Sequence, residues 1–282
     1  MELTKAWVRE HLPKRKADGH KGDFGKVLCI CGSVGYTGAP IFASRAAMRC
    51  GSGLVFLGVP ESIYAIAAIK SDEAMPFPLP DEEGKLSLAA ENLIRQKLAS
   101  YDALLVGCGM GRSESSDRLV RNLLSVDKPL VLDADGINAL QGHTELLKSR
   151  TCITVLTPHE GEFSRIGKLL PSRESSAERF AKTHNVYLIL KGHRTVITAP
   201  DGRIAVNPTG NCGMAKGGSG DVLSGMVLSL LGQGAEPFSA CCSAVYLHGL
   251  AGDIAAAEKT EYAMTPSDLL ECIPNAFKEV LK

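Results

Sequence analysis

The chain has 282 residues, 45% of them hydrophobic, with 31 basic and 31 acidic side chains and no net charge. This length fits one large α/β domain or two smaller ones, and the balanced charge argues against a nucleic-acid partner. Nine cysteines without paired C-x-x-C spacing and a charged N-terminal segment indicate reduced thiols and predict a cytoplasmic protein. The apolar runs fall short of membrane-spanning length, so no membrane partner is expected.

Apolar, β-branched runs alternate with helical patterns, and each run ends in a glycine-rich or charged turn. This is the βαβ pattern of a mostly parallel sheet. Strands are predicted at Lys26–Cys31, Leu54–Val59, Ala103–Val106, Leu130–Leu132, Ile153–Leu156 and Tyr187–Leu190. A hairpin is predicted from Thr195–Thr198 and Arg203–Val206, and helices at about Ala39–Cys50, Ser239–Glu258 and Pro266–Lys282. No linker or repeat interrupts the chain, so one domain over residues 1–282 is expected.

Two glycine-rich turns follow predicted strands at Gly32–Gly38 and Gly107–Gly111. The first is not a Walker A loop, because no Lys-Ser/Thr follows its last glycine, and the second lacks the G-x-G-x-x-G spacing of a dinucleotide fingerprint. Ligands bind at the carboxyl ends of strands in open α/β sheets. Together the two turns predict two places where the backbone closely approaches a bulky ligand.

The most informative segment is Gly217-Gly-Ser-Gly-Asp221, which leads into an amphipathic run with helical spacing. Backbone N–H groups at a helix N-terminus, together with the helix dipole, form an anion site. Asp221 is expected to stay ionised beside the anion, and a phosphate cradle with a carboxylate base is suited to phosphoryl transfer to an alcohol. The alternative is an ordinary glycine-rich turn whose helix is capped by an aspartate.

Two further charged segments follow strands. In Thr157-Pro-His-Glu-Gly-Glu162, His159 could donate to a ligand and Glu162 could hold Mg²⁺ through water, or the two could simply belong to a helix start. The segment has no H-E-x-x-H spacing, which argues against zinc. Lys191–Thr195 carries three cationic side chains suited to a nucleotide phosphate or ribose, or it is a solvated turn.

Several motifs in order along the chain resemble the ADP/ATP-dependent NAD(P)H-hydrate dehydratases of the ribokinase-like superfamily. They are His20-Lys-Gly-Asp-Phe-Gly25, Gly38-Ala39, Leu132-Asp-Ala-Asp135, Leu156–Glu162, Leu190-Lys-Gly192, Asn207-Pro-Thr-Gly-Asn211 and Lys216–Gly225. The resemblance runs from about residue 20 to the last helix. It implies a ribokinase-like three-layer α/β/α sandwich with a mostly parallel central sheet.

The resemblance also implies roles for individual residues. Ala39, Gly109, His159 and Asp221 would bind the substrate, with Asp221 at the reacting hydroxyl as the catalytic base. The nucleotide would bind Lys191, Gly192, His193, Arg194 and Thr195, and the anion loop Gly217, Gly218, Ser219 and Gly220. The Gly107–Gly111 turn departs from the family's Gly-Pro-Gly-Leu-Gly, and Ser219 replaces the usual threonine but keeps its hydroxyl.

The implied reaction removes water from the S epimer of hydrated NADH or NADPH, driven by ADP or ATP. Mg²⁺ dependence and a homotetramer are family expectations. Only about twenty residues precede the first motif, so no N-terminal epimerase domain is expected here and an epimerase would be a separate chain. Two alternatives remain open: an ATP-dependent kinase of a small hydroxylated metabolite or vitamin precursor, and a nucleotide-binding sensor without turnover.

Overall fold

A computed structural model describes the whole chain, Met1–Lys282. The strands are β1 Lys26–Ile30, β2 Leu54–Pro60, β3 Met75–Leu79, β4 Asp81–Glu82, β5 Lys85–Leu86, β6 Ala103–Val106, β7 Leu130–Leu132, β8 Thr154–Leu156, β9 Tyr187–Leu190, β10 Val196–Thr198 and β11 Ile204–Val206. Nine of them form one sheet in the order β11-β10-β9-β8-β7-β6-β1-β2-β3, while β4 and β5 make a separate hairpin. Strand β10 is antiparallel to both β9 and β11, and the other pairs in the large sheet are parallel.

The helices alternate with the strands along the chain. They are α1 Lys5–His11, α2 Ala39–Arg49, α3 Glu61–Lys70, α4 Ala90–Leu98, α5 Glu114–Leu123, α6 Asp135–Asn138, α7 Glu160–Ile166, α8 Arg173–His184, α9 Ser219–Gly232, α10 Pro237–Ala263 and α11 Pro266–Leu281. Most of the predicted elements match these bounds to within a few residues.

Two hydrophobic cores lie on the two faces of the sheet. Because successive side chains of a strand point to opposite faces, Val27 and Cys29 enter one core whereas Leu28 and Ile30 enter the other. The first core packs α1, α2, α3, α9, α10 and α11 on the sheet, and the second packs α4 to α8. The predicted three-layer arrangement is therefore confirmed.

Strand β3, which forms one edge of the sheet, was not predicted. Its sequence, Met-Pro-Phe-Pro-Leu, contains Pro76 and Pro78, and proline within a run argues against a central strand. At the edge, a strand needs donors on one side only, so both prolines are tolerated. The antiparallel hairpin of β10 and β11 is confirmed, with Val196 opposite Val206.

By length and composition alone, helix α10 is long and apolar enough to cross a membrane, contrary to the expectation that no apolar segment is long enough. Of its most apolar 18-residue window, 72% is buried inside the protein. The helix packs against α9 and α11 in the first core, so its apolar character is explained by contacts within the chain.

Candidate active site

The two glycine-rich turns meet at the point where the strand order reverses. The chain runs from β1 outward to β3, then returns to place β6 on the other side of β1. Gly32 N–H donates to the Cys108 carbonyl at 2.9 Å, and the Ser33 hydroxyl donates to the Gly109 carbonyl at 2.8 Å. Such a reversal opens a crevice at the carboxyl ends of the strands. The turns thus line one crevice together rather than two separate sites.

Ala39 and Gly109 lie in contact at this crevice. Gly109 has φ +61°, and a Cβ placed on it would lie 2.8 Å from the Ala39 Cβ and 3.0 Å from the Tyr36 Cβ. Only glycine therefore fits position 109 without displacing a neighbour. The structure brings these two predicted substrate residues together, and their role in substrate binding stays a prediction.

The anion loop starts helix α9 as predicted. Gly218, with φ +108°, is the N-cap, and Asp221 is the third residue of the helix. A Cβ added at Gly220 would lie 3.3 Å from the Lys191 amino nitrogen, whereas one at Gly217 would meet nothing within 4 Å. The loop backbone is therefore open on one side and close to a cation on the other, as an anion site requires.

A cavity of about 830 Å³ lies in front of this loop. All nine residues predicted to bind the nucleotide line it, together with His159, Glu162 and Asp221. Ala39 and Gly109 do not line it. Further lining residues that the sequence did not single out as site residues include Asp133, Asn207, Thr209, Asn211, Met214 and His248.

Asp221 connects the cavity with the crevice. One of its carboxylate oxygens, a carboxylate oxygen of Asp133 and the Cys108 sulfur all lie within 4.8 Å of one another, and Cys108 directly precedes Gly109. Asp221 therefore lies beside both the anion loop and the turn that contains Gly109. This placement is what a base between two substrates needs.

The expectation that Asp221 stays ionised is wrong near neutral pH. Burial, followed by the charge of Asp133, raises the pKa of Asp221 to about 7, against hydrogen bonding from Cys108 and the charge of Lys191. Burial beside a second carboxylate favours the protonated form of a carboxyl group. Asp221 is therefore partly protonated at pH 7, and it exchanges a proton readily in this pH range.

Lys191 points inward beneath the anion loop. Its Nζ lies 2.9 Å from Asp133 Oδ1 and 3.8 Å from Glu162 Oε2. Burial lowers the pKa of Lys191, but the two carboxylates outweigh burial and raise it above the usual value. Lys191 is therefore a fixed positive charge beside the anion loop.

His159 and Glu162 form a reciprocal cap at the start of α7. His159 Nδ1 accepts from the Glu162 N–H at 3.2 Å, and Glu162 Oε2 accepts from the His159 N–H at 2.8 Å. The helix-start alternative weighed for His159 is therefore correct as far as Nδ1 is concerned. Its side chain is 55% exposed and lines the cavity, so the ring remains open to a ligand.

Glu162 fits the indirect magnesium role predicted for it. Its Oε1 receives no backbone N–H and has His159 Nε2 at 3.5 Å, while the side chain lines the cavity beside Lys191. Carboxylate oxygens are preferred by Mg²⁺, which keeps several waters in protein sites. One oxygen is thus available to a water of a hydrated ion, and the assignment stays a prediction.

The loop Lys191–Thr195 is held by Arg173, a residue that the sequence did not single out. The Arg173 guanidinium donates to the carbonyls of Leu190 at 2.8 Å and His193 at 2.7 Å. Arg194, by contrast, pairs with Glu2 at 2.5 Å with both side chains half-exposed. Of the cations predicted for the nucleotide, Lys191 is thus fixed inside the cavity, whereas the Arg194 head group is engaged at its rim.

The segment Asn207–Asn211 is anchored on helix α10. The carboxylate of Asp253 accepts from the Gly210 N–H and from the Asn211 side-chain amide, each at 2.9 Å. His248, also on α10, lies 2.9 Å from the Ser219 carbonyl through Nε2, and burial lowers the pKa of His248 to about 4. His248, in its neutral form, and the carboxylate of Asp253 therefore hold two walls of the cavity in place before any ligand binds.

Comparisons with known proteins show the family to which the chain belongs. The profile of the NAD(P)H-hydrate dehydratase family matches residues 27–275. The chain belongs to this family. It is 43% identical over 285 aligned residues to the bifunctional NAD(P)H-hydrate repair enzyme of Moorella thermoacetica, an alignment that includes 99% of the chain and 54% of that protein. The chain spans about half the length of the first curated relatives that it matches.

Two solved structures superpose closely on the chain. The ADP/ATP-dependent NAD(P)H-hydrate dehydratase from Bacillus subtilis, co-crystallised with ATP and Mg²⁺, has a TM-score of 0.87 at 33% identity, covering 99% of this chain and 98% of that one. A ribokinase-like superfamily protein from Enterococcus faecalis has a TM-score of 0.84 at 27% identity, covering 99% and 95%. The fold is therefore ribokinase-like, as the motifs predicted.

Proposed function

We propose that the chain removes water from the S epimer of hydrated NADH or NADPH, with ADP or ATP as co-substrate, and so returns a damaged cofactor to its reduced form. The observation that carries the proposal is the position of Asp221. Its carboxylate lies at the start of α9, beside the anion loop and next to Cys108 of the crevice that holds Ala39 and Gly109. Family membership supplies the substrate class, and the two adjoining spaces suit two substrates.

The reaction needs the hydroxyl of the hydrate to become a better leaving group, because hydroxide leaves poorly near neutral pH. In the proposed first step, this hydroxyl attacks the terminal phosphorus of the nucleotide, and the bond to the bridging oxygen breaks to release AMP or ADP. Asp221 accepts the hydroxyl proton. The N–H groups of Gly217–Gly220 and the Lys191 ammonium stabilise the charge on the transferred phosphate.

In the second step, the ring nitrogen's lone pair expels phosphate, and loss of a proton from the neighbouring ring carbon restores the dihydropyridine. Mg²⁺, held through water by Glu162, would supply charge neutralisation at the phosphates. The products are NADH or NADPH, phosphate, and AMP or ADP.

An absorbance assay tests the proposal directly. The protein is mixed with the hydrate, Mg²⁺ and either ADP or ATP, and recovery of the reduced-nicotinamide band is followed together with phosphate release. We expect both signals to rise in equal amounts. A stable phosphorylated product with no recovered cofactor would instead favour the kinase alternative, and nucleotide binding without turnover would favour the sensor.

His159 offers a test of the substrate side. We expect His159→Ala to lower kcat/KM for the hydrate while leaving ADP affinity unchanged, and to reduce stability by about 1 kcal/mol because the cap of α7 is lost. His159→Asn is the matched control, since asparagine caps helices well but has no imidazole ring. Calorimetric titration with ADP and kinetics at varied hydrate give the two readouts. A wild-type specificity constant in the asparagine variant would leave His159 with the capping role alone.

The choice between ADP and ATP, the magnesium requirement, the homotetramer, a separate epimerase chain and the cytoplasmic location remain proposals that rest on family resemblance or on composition.

A further inference from the structure

Asp133 is a buried carboxylate that belongs to the motif Leu132-Asp-Ala-Asp135 but received no predicted role. It follows directly after β7, and its side chain is 2% exposed. Among its contacts, Lys191 Nζ donates to Oδ1 at 2.9 Å, the Ser224 hydroxyl donates to Oδ2 at 2.8 Å, and the Cys108 sulfur lies 3.6 Å from Oδ2. A carboxylate buried this deeply requires such partners to remain in the fold.

These contacts keep Asp133 charged. Burial alone would raise its pKa, but the charge and hydrogen bond of Lys191, with the hydrogen bond of Ser224, outweigh burial and hold the pKa of Asp133 below its usual value. A fixed negative charge therefore lies beside Asp221. One carboxylate oxygen of each aspartate and the Cys108 sulfur all lie within 4.8 Å of one another.

The contacts of Asp133 give it two separate effects. It holds the Lys191 ammonium 3.3 Å from the position of a Cβ on Gly220, and so under the anion loop. It also places a like charge against Asp221, which favours a proton on Asp221. Serine and cysteine contacts fix the orientation of the Asp133 carboxylate, so both effects depend on one rigid group.

We propose that Asp133 is a positioning residue for the reaction, which anchors Lys191 at the phosphate end of the cavity and makes Asp221 a stronger base by its adjacent charge. The inference rests on the proposed role of Asp221 as the base. A base is most effective when it titrates close to the working pH, because a sizeable fraction is then ionised and that fraction still has a high affinity for a proton. Asp133 would thus adjust the basicity of Asp221 without itself accepting the proton.

The groups with the largest effects on Asp221 come from separate segments of the chain. Asp133 follows β7, Cys108 follows β6, Lys191 follows β9, and Glu162 belongs to α7. Asp133 and Glu162 favour the protonated form of Asp221, while Lys191 and the Cys108 hydrogen bond favour the ionised form. Removal of Asp133 and removal of Lys191 are therefore expected to act in opposite directions.

The titration of Asp221 can be followed without any turnover. Protein with ¹³C-labelled aspartate carboxyls is titrated from pH 4 to 9 in the presence of a metal chelator, and the carboxyl chemical shifts are followed by NMR. The Asp221 signal is assigned by its loss in Asp221→Asn. We expect Asp133→Asn to lower the midpoint of Asp221 by about one pH unit or more, which is typical for a charge within several ångströms, and Lys191→Met to raise it. The acid limb of the pH profile of kcat/KM should shift in the same two directions.

No shift in Asp133→Asn, or shifts of the same sign in both variants, would overturn the inference, because general loosening of the site moves Asp221 toward its solvent value in either case. If Asp133→Asn does not fold, the double variant Asp133→Asn/Lys191→Met replaces it and is compared with Lys191→Met, below which its midpoint should lie. The spectroscopic titration stands even if the hydrate is not the substrate, so failure of the inference and failure of the proposed function are distinguishable.

Discussion

Replacing Asp221 with asparagine is expected to lower the turnover rate about 10²–10⁴-fold while leaving nucleotide affinity nearly unchanged. Asparagine has the shape of aspartate and keeps a side-chain oxygen at the start of α9, but it cannot accept the hydroxyl proton. Single-turnover measurements of cofactor recovery, with calorimetric titration of ADP, separate the two effects. Asp201→Asn, at the exposed turn between β10 and β11, is the matched control for loss of one carboxylate.

The same variant should be more stable than the wild type at high pH. Because the pKa of Asp221 is about 7 in the fold, and its ordinary value is 3.8, Asp221 contributes stability below pH 4 that is lost as the pH rises through 7. Asparagine has no such loss, so its advantage should reach on the order of 4 kcal/mol above pH 7, since each pKa unit corresponds to about 1.4 kcal/mol. Thermal unfolding at pH 5 and pH 8 measures the difference. A near wild-type rate would remove Asp221 from the chemistry, and equal pH dependence would contradict its raised pKa.

Lys191→Met is expected to have the largest effect on stability. Removing one partner of a buried ion pair leaves the other charge without compensation and typically reduces stability by about 3–5 kcal/mol. Here Asp133 would be left 2% exposed without its main cation. ADP affinity should fall as well, because the cation beneath the anion loop is lost. Denaturant unfolding and calorimetry provide the two measurements.

Two further variants show which contact of Lys191 accounts for the loss of stability in Lys191→Met. The double variant Asp133→Asn/Lys191→Met removes both charges and should recover part of the lost stability, as coupled partners do in a double-mutant cycle. Arg194→Ala breaks a half-exposed pair with Glu2 and should change stability by less than about 1 kcal/mol, with a smaller effect on ADP binding. If the double variant is no more stable than Lys191→Met alone, the pair with Asp133 is not what Lys191 stabilises.

Local patterns were sufficient to predict most of the architecture. The buried strands are short apolar runs that end in glycine or charge, so β6, β7 and β9 were located to the residue. The position of Asp221 at a helix start followed from the glycines before it and the spacing after it. These patterns involve residues that are close together in the sequence, so they can be recognised before the fold is known.

What the sequence could not supply depends on contacts between distant segments. Asp133 and Asp221 are 88 positions apart in the chain, and only the order of the strands brings them together. The raised pKa of Asp221 depends on that proximity and on burial, so an expectation based on the helix N-terminus alone was wrong. Likewise, nothing local to Gly32–Gly38 or Gly107–Gly111 reveals that the two turns form one crevice.

The prolines of the edge strand β3 also affect how molecules of this protein meet one another. Pro76 and Pro78 occupy alternate positions, so both missing N–H groups belong to the same side of the strand, and β3 still pairs with β2 through its other side. A strand from a second molecule that approaches the open edge finds carbonyl groups but too few donors to complete a ladder. The two residues that obscured this strand in the sequence thus protect a nine-stranded sheet from growing further at that side.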